Sequence, residues 1–187
     1  DITIPDGVRS IDYAAFSGCT SLTSITIPDS VISVSTQAFN GCKIKELHIA
    51  DGSKTVTSAM IVCKDTLEKV TIPDSVTSID GSAFYNTGYY DDPANWNNGI
   101  LYISNHLIAA KNTLSGECRI REGVKSIGGS AFSGCTSLTS ITIPDSVTSI
   151  SESAFSNCKS LTDITIPDGV RSIDYAAFSG CTSLTSI

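Results

Sequence analysis

The side chains best equipped for chemistry in this 187-residue chain are its seven cysteines. Six of them, Cys19, Cys42, Cys63, Cys135, Cys158 and Cys181, stand three residues after a Phe or, once, a Met. Thiols could form disulfides, bind zinc or act as nucleophiles. The regular spacing instead stacks them as rungs, about 5 Å apart with parallel Cβ vectors, which suits a small buried hydrophobe better than a bridge. There is no CxxC pair to begin a zinc site. A buried ladder of free thiols is expected, with Cys118 in an inward strand position. The two histidines, His48 and His106, fall in different elements, and no GxSxG, HExxH or phosphate-loop motif accompanies them. His48 reads as a solvated face residue. Asp91, Asp92, Asn95, Asn97 and Asn98 could offer oxygen to calcium, but their order is not that of an EF-hand loop and Asp and Asn are common turn residues. No catalytic residue, metal site or cofactor is assigned, and the chain reads as non-enzymatic.

Two groups of residues could instead bind. The first is aromatic. Trp96, the only tryptophan, and Tyr85, Tyr89, Tyr90 and Tyr102 crowd the stretch YNTGYYDDPANWNNGILY. Such rings offer large apolar area with a polar tip, as interaction hot spots do; covering an irregular stretch of core would use them equally well. The second lies on strands. The outward positions run Asp1/Thr3, Ser24/Thr26, Glu46/His48, Lys69/Thr71, Glu117/Arg119, Ser140/Thr142, Asp163/Thr165 and Ser186. Most are Ser or Thr; Glu46, His48, Lys69, Glu117 and Arg119 are the variable mid-chain residues. A recognition surface and a merely solvated sheet face both fit.

These residues are positioned by a repeat. Ala-Phe recurs at Ala15, Ala38, Ala83, Ala131, Ala154 and Ala177, with Ala59-Met60 as a worn copy, and Ile-Pro recurs at Pro5, Pro28, Pro73, Pro144 and Pro167. Residues 1–25 repeat letter for letter as 163–187. In Ser140-Ile141-Thr142-Ile143 the period is two, so the isoleucines face one way and Ser and Thr the other. Pro144 ends the strand because proline cannot donate to a ladder. Asp145-Ser146 turns the chain, Val147 and Ile150 return inward, and Ala131-Phe132 with Cys135 closes the coil, expected as a short helical turn. One coil cannot bury its apolar positions alone; stacked coils make a continuous core and a parallel sheet. The period lies in the leucine-rich-repeat range. Coil 50–73 is the most worn, with Ala50-Asp51-Gly52 for Pro-Asp. Ile100-Leu101-Tyr102-Ile103 and His106-Leu107-Ile108-Ala109-Ala110 flank Ser104-Asn105 and read as a tight β-hairpin.

Net charge is −7 and no basic stripe exists, which argues against nucleic acid. No apolar run reaches the ~18 residues of a membrane span, so membrane insertion is not expected. The chain opens within an expected strand, Asp1-Ile2-Thr3-Ile4, and closes within another, Ser186-Ile187, so it reads as a segment of a longer array.

The motif SLTSITIPDSVTSI…AFSGC resembles the BspA-like leucine-rich repeats of host-associated anaerobic bacteria and some protist parasites. The stretch AFYNTGYYDDPANWNNGILYISNHLIAAK is similar to an insertion recurrent in bacterial members. The resemblance covers essentially the whole chain. It implies a secreted or cell-surface protein linked to adhesion, and carries over no functional residue.

The expected fold is a mainly β, right-handed leucine-rich-repeat solenoid with a parallel concave sheet and short helical turns. It spans 1–187 as one domain, interrupted at 85–111 by an irregular insertion with a hairpin. The expected function is binding or adhesion toward a host or microbial surface protein or glycan, at Tyr89, Tyr90, Trp96, Tyr102, Glu46, His48, Lys69, Glu117 and Arg119. The alternative is a structural spacer or filament unit that self-associates end to end.

Overall fold

The computed structural model describes residues 2–186 and is a mainly β solenoid of parallel sheets with few helices. It divides into two compact units, one of Asp1–Val76 and Ser82–Asn95, the other of Thr77–Gly81 and Trp96–Ile187.

In the first unit, strands Ser24–Ile27, Glu46–Ile49 and Lys69–Thr71 form a parallel sheet. Its register sets Ile25, Leu47 and Val70 in one inward row, and all three are buried. The period-two reading of these strands is therefore met: β-branched and Leu side chains fill one face while Ser, Thr and charged residues take the other. A tight turn follows Pro28 and Pro73, where Val31 and Val76 each donate an N–H to the proline carbonyl at 3.1 Å. Ser30 then ties coil to coil, its hydroxyl accepting from the Gly7 N–H at 3.0 Å and donating to the Val8 carbonyl at 2.9 Å.

The return of Val and Ile to the core makes a second ladder of two-residue strands, of which Ser10–Ile11 and Ser33–Val34 pair in parallel. The Ala-Phe turn also differs from expectation. In regular coils it is not a helix, because the residue before Ala-Phe takes a left-handed conformation, as at Ala14 (φ 58°), Ser153 (φ 56°) and Ala176 (φ 55°), which an α-helical run does not admit. The turn pairs with the next coil instead: Phe16 donates to the Ala38 carbonyl and Gly18 to that of Asn40, both at 2.8 Å. Short helices cluster where the repeat is worn, at Ser58–Met60, Lys64–Thr66, Gly88–Asp91 and Pro93–Asn95.

In the second unit, strands Ser115–Arg119, Ser137–Thr142 and Asp163–Thr165 form the equivalent parallel sheet. Cys118 aligns with Ile141 and Ile164, as its inward assignment requires. Phe132, Phe155 and Phe178 stack with centroids 5.1 and 5.2 Å apart. The hairpin Ile100–Ile103/His106–Ala110 is present, with Ser104 in its turn at φ 50°. It is no surface excursion. His106–Ala110 pairs in parallel with Ser126–Ile127 and so serves as a rung of the second ladder, and Ile100, Leu101, Ile103 and Leu107 are buried. Trp96–Asn97 adds a third antiparallel strand.

Residues 77–81 pack across that ladder. Ser149 donates its hydroxyl to the Thr77 carbonyl at 2.7 Å, and the Gly129 N–H donates to Ile79 at 2.9 Å. A Cβ on Gly129 would stand 2.8 Å from the Gly81 nitrogen, so both positions are glycine where other coils carry Glu152 or Tyr13.

The strand expected at the first residues is not formed: Ile2–Ile4 have no strand pairing. They border instead an apolar cavity of about 310 Å³ with Pro5, Val8, Ile11 and Phe16. Ser186 makes a parallel bridge to Asp163; Asp1 and Ile187 lie outside the described residues.

Candidate interaction surfaces

Because the pairing is parallel and in register, outward residues of successive coils form straight rows. In the first unit Ser24, Glu46 and Lys69 make one row, and Thr26, His48 and Thr71 the next. Glu46 joins them: its Oε2 lies 3.5 Å from Lys69 Nζ and 3.7 Å from His48 Nε2. His48 Nδ1 is 2.6 Å from Thr71 Oγ1, which ties the ring to the next coil. Its side chain is 32% exposed, less solvated than expected. Beside the rows Lys45 pairs with Glu68 at 2.8 Å, with both side chains more than half exposed. Pairs this exposed contribute little to stability, about 0–1 kcal/mol each. The face thus carries opposite charges in neighbouring coils, as Glu46 with Lys69 and Lys45 with Glu68.

In the second unit Glu117, Ser140 and Asp163 share a row, as do Arg119, Thr142 and Thr165. Arg119 reaches Glu122 at 3.6 Å and is 76% exposed. Ser186 donates its hydroxyl to Asp163 at 3.1 Å.

The aromatic candidates fall into both units. Tyr89 and Tyr90 lie in the first, on the one-turn helix Gly88–Asp91. Thr87, in a cysteine position, caps that helix by accepting the Tyr90 N–H at 3.0 Å. Tyr90 meets Tyr85 edge to face at 5.4 Å, and burial raises its phenol pKa. The Tyr89 carbonyl accepts from Asn95 Nδ2, and Asp92 accepts from the Ala94 N–H, both at 2.9 Å, so these acidic and amide side chains serve the turn.

Trp96 and Tyr102 lie in the second unit, each under a cation. Lys111 Nζ stands 5.1 Å from the Trp96 centroid, and the Arg121 guanidinium 4.3 Å from that of Tyr102. Arg121 also donates to the Ser104 carbonyl. Burial raises the Tyr102 phenol pKa. Each ring is thus half-buried with one face already covered, which makes it part of the wall more than a projecting anchor.

Sequence reasoning missed three features. Arg121 clamps the hairpin turn; its only signal is its place where other coils have proline. Tyr13 and Tyr175, equivalent residues of the identical end segments, are 78% and 80% exposed. His106 is buried beside Ser126, Nδ1 to Oγ 2.7 Å, with both residues at 0% exposure. A Ser-His contact so enclosed gives no substrate access to the hydroxyl; it is a polar rung of the second ladder.

The thiols form hydrogen bonds between coils. The Sγ–H of Cys42 donates to Phe16, of Cys158 to Phe132 and of Cys181 to Phe155, at 3.1, 3.2 and 3.1 Å. All seven cysteines are free. Burial pushes the Cys135 thiol up to about 11 and that of Cys158 up to about 12, which keeps them protonated and poorly nucleophilic. Among the described residues no group of three or more His, Cys, Asp or Glu is placed to hold a metal ion. No helix there is long and apolar enough to cross a membrane.

Parallel rows of outward side chains over stacked apolar rungs define a leucine-rich-repeat protein. The chain belongs to the BspA type leucine-rich repeat family, whose pattern matches it in six copies over residues 1–115 and 102–187. Among solved structures it is similar to a leucine-rich repeat protein from Bacteroides ovatus, at 28% identity over 96% of this chain and 40% of that one, with a TM-score of 0.38. It is also similar to a leucine-rich cell surface protein from Faecalibacterium prausnitzii, at 26% identity over 96% of this chain and 64% of that one, with a TM-score of 0.44. A leucine-rich repeat protein from T. pallidum is 24% identical over 95% of this chain and 72% of that one, with a TM-score of 0.38. The chain thus spans 40% and 64% of the lengths of the first two. No curated protein matches it.

Proposed function

We propose that the chain is a non-enzymatic, surface-exposed module that recognises a protein partner through the outward rows of its strands. The observation that carries this is the in-register alignment of Ser24, Glu46 and Lys69 beside Thr26, His48 and Thr71. It places charged side chains in adjacent coils at fixed spacing on a face that needs none of them for stability. Extended faces of this kind are the binding surfaces of solenoids, and opposed charges set orientation and encounter rate more than bulk affinity. Membership of the BspA-type family supports a place at the cell surface.

The test is capture of soluble extracellular-matrix proteins on one array and of oligosaccharides on another, at low and high salt. Saturable capture of a protein that weakens with salt supports the reading. Capture of oligosaccharides alone, or of neither class, counts against it.

A further inference from the structure

In regular coils the Ala-Phe turn offers two N–H groups, two residues apart, to the coil that follows. Phe16 and Gly18 donate to Ala38 and Asn40, Phe132 and Gly134 to Ala154 and Ser156, and Phe155 and Asn157 to Ala177 and Ser179, all within 2.7–2.8 Å. The equivalent donors of the second coil are Phe39 and Gly41. Among the described residues neither of these N–H groups makes a hydrogen bond.

The cause lies in the third coil. Its turn reads Ala59-Met60-Ile61-Val62-Cys63, where other coils read Ala-Phe-Ser-Gly-Cys. The glycine of that motif takes a left-handed conformation, φ 78° at Gly18, 77° at Gly41 and 75° at Gly134. Val62 occupies the same position, and a β-branched residue resists that conformation. The third coil cannot follow the ladder: Ile61 and Val62 turn inward and are buried, and two 3-10 turns replace the regular one. A cleft of about 570 Å³ opens along the abandoned edge, lined among others by Phe39, Gly41, Ile61, Val62 and Thr66.

We infer that this cleft receives an extended backbone segment of a partner protein, whose two carbonyls, two residues apart, accept from Phe39 and Gly41. The partner's chain takes the place of the coil that the worn repeat withholds. The regular coils supply the template, since at the Phe16, Phe132 and Phe155 turns the same two donors are met by backbone carbonyls at that spacing and not by side chains. Recognition of this kind adds a strand-like segment to an open edge: main-chain bonds give affinity, and the pocket sets which side chain fits. Here the floor of Ile61 and Val62 takes a compact apolar side chain between the two carbonyls. This site is made of turn residues and does not depend on the strand rows.

The test uses the whole chain and a phage-displayed library of random twelve-residue peptides, selected on the wild type and counter-selected on two cleft-closed variants. One is Ser58→Trp, which fills the cleft. The other is Ile61→Ser and Val62→Gly with one glycine inserted between Thr57 and Ser58, which gives the third turn the length and the Ser-Gly of the regular coils and so should return coil partners to Phe39 and Gly41. In the free wild type the Phe39 and Gly41 amides should exchange with solvent at least tenfold faster than Phe16 and Gly18. Selected peptides should slow that exchange and bind tenfold or more weakly to both variants, while a protein altered at Glu46 and Lys69 still binds them. Two results would overturn the inference: no peptide that distinguishes the wild type from the variants, or Phe39 and Gly41 amides as protected in the free protein as Phe16 and Gly18.

Discussion

The thiol of Cys158 donates to the carbonyl of Phe132 across one coil, at 3.2 Å. With the bonds from Cys42 to Phe16 and Cys181 to Phe155, it shows why a cysteine and not an alanine closes the turn. A thiol is small and apolar enough for the core, yet carries a weak donor. The Phe132 carbonyl also accepts from the Cys135 N–H, so the thiol is its second partner. Cys158→Ala should therefore cost about 1–2 kcal/mol, part lost hydrogen bond and part small cavity. Urea denaturation checks this; a change below the error of the midpoint would remove the thiol from the coil-to-coil bonding.

The same burial makes stability depend on alkaline pH. The Cys158 and Cys135 thiols titrate at about 12 and about 11 in the folded chain, against about 8.5 when unfolded. Folded pKa values above the unfolded ones mean that the folded chain holds protons the unfolded chain releases. The contribution is therefore fully present below about pH 8.5. It is lost as pH rises toward 11 and 12, by up to ~1.4 kcal/mol per pH unit for each thiol. Melting temperature should be level from pH 7 to 8 and fall steeply above 9, and Cys158→Ala should soften the fall. A curve of unchanged slope in that variant would contradict the assignment.

Gly129 and Gly81 approach backbone to backbone. With 2.8 Å between the Gly81 nitrogen and a Cβ on Gly129, Gly129→Ala forces residues 77–81 away from the ladder. That exposes the bonds made by Ser149 and Gly129 and should cost about 1–3 kcal/mol. Protection of the Gly129 amide against hydrogen exchange reports it directly; an alanine variant with full protection and unchanged stability would mean the two segments are not held this close.

The register of the strands was legible because Ile141 and Ile143 alternate with Ser140 and Thr142, and a period of two leaves one choice of buried face. The cysteine ladder was legible from spacing alone, but not its hydrogen bonds, which depend on the turn leaving Phe132 O within reach. The second ladder was hidden because two residues such as Ser149-Ile150 carry no period. The Ala-Phe turn looked helical because Ala14 and Ser153 do not announce a positive φ, which neighbouring coils impose through the bonds they make. The hairpin was visible in Ser104-Asn105, but not its burial, since His106 reads as polar and is enclosed with Ser126. The rows of Glu46, Lys69, Glu117 and Arg119 followed from the period; the ion pair of Glu46 with Lys69 came only with the rise between coils.

The most direct measurement bears on the claim that these rows carry recognition while the repeat's inward letters carry the fold. Glu46→Ser, Lys69→Ser, Glu117→Ser and Arg119→Thr together give the rows the bland Ser and Thr of regular coils. Exposed pairs such as Glu46 with Lys69 contribute little, so unfolding free energy should change by no more than about 1 kcal/mol. Affinity for the captured matrix protein should fall at least tenfold, about 1.4 kcal/mol. A variant that folds as the wild type does and binds with undiminished affinity would contradict the account.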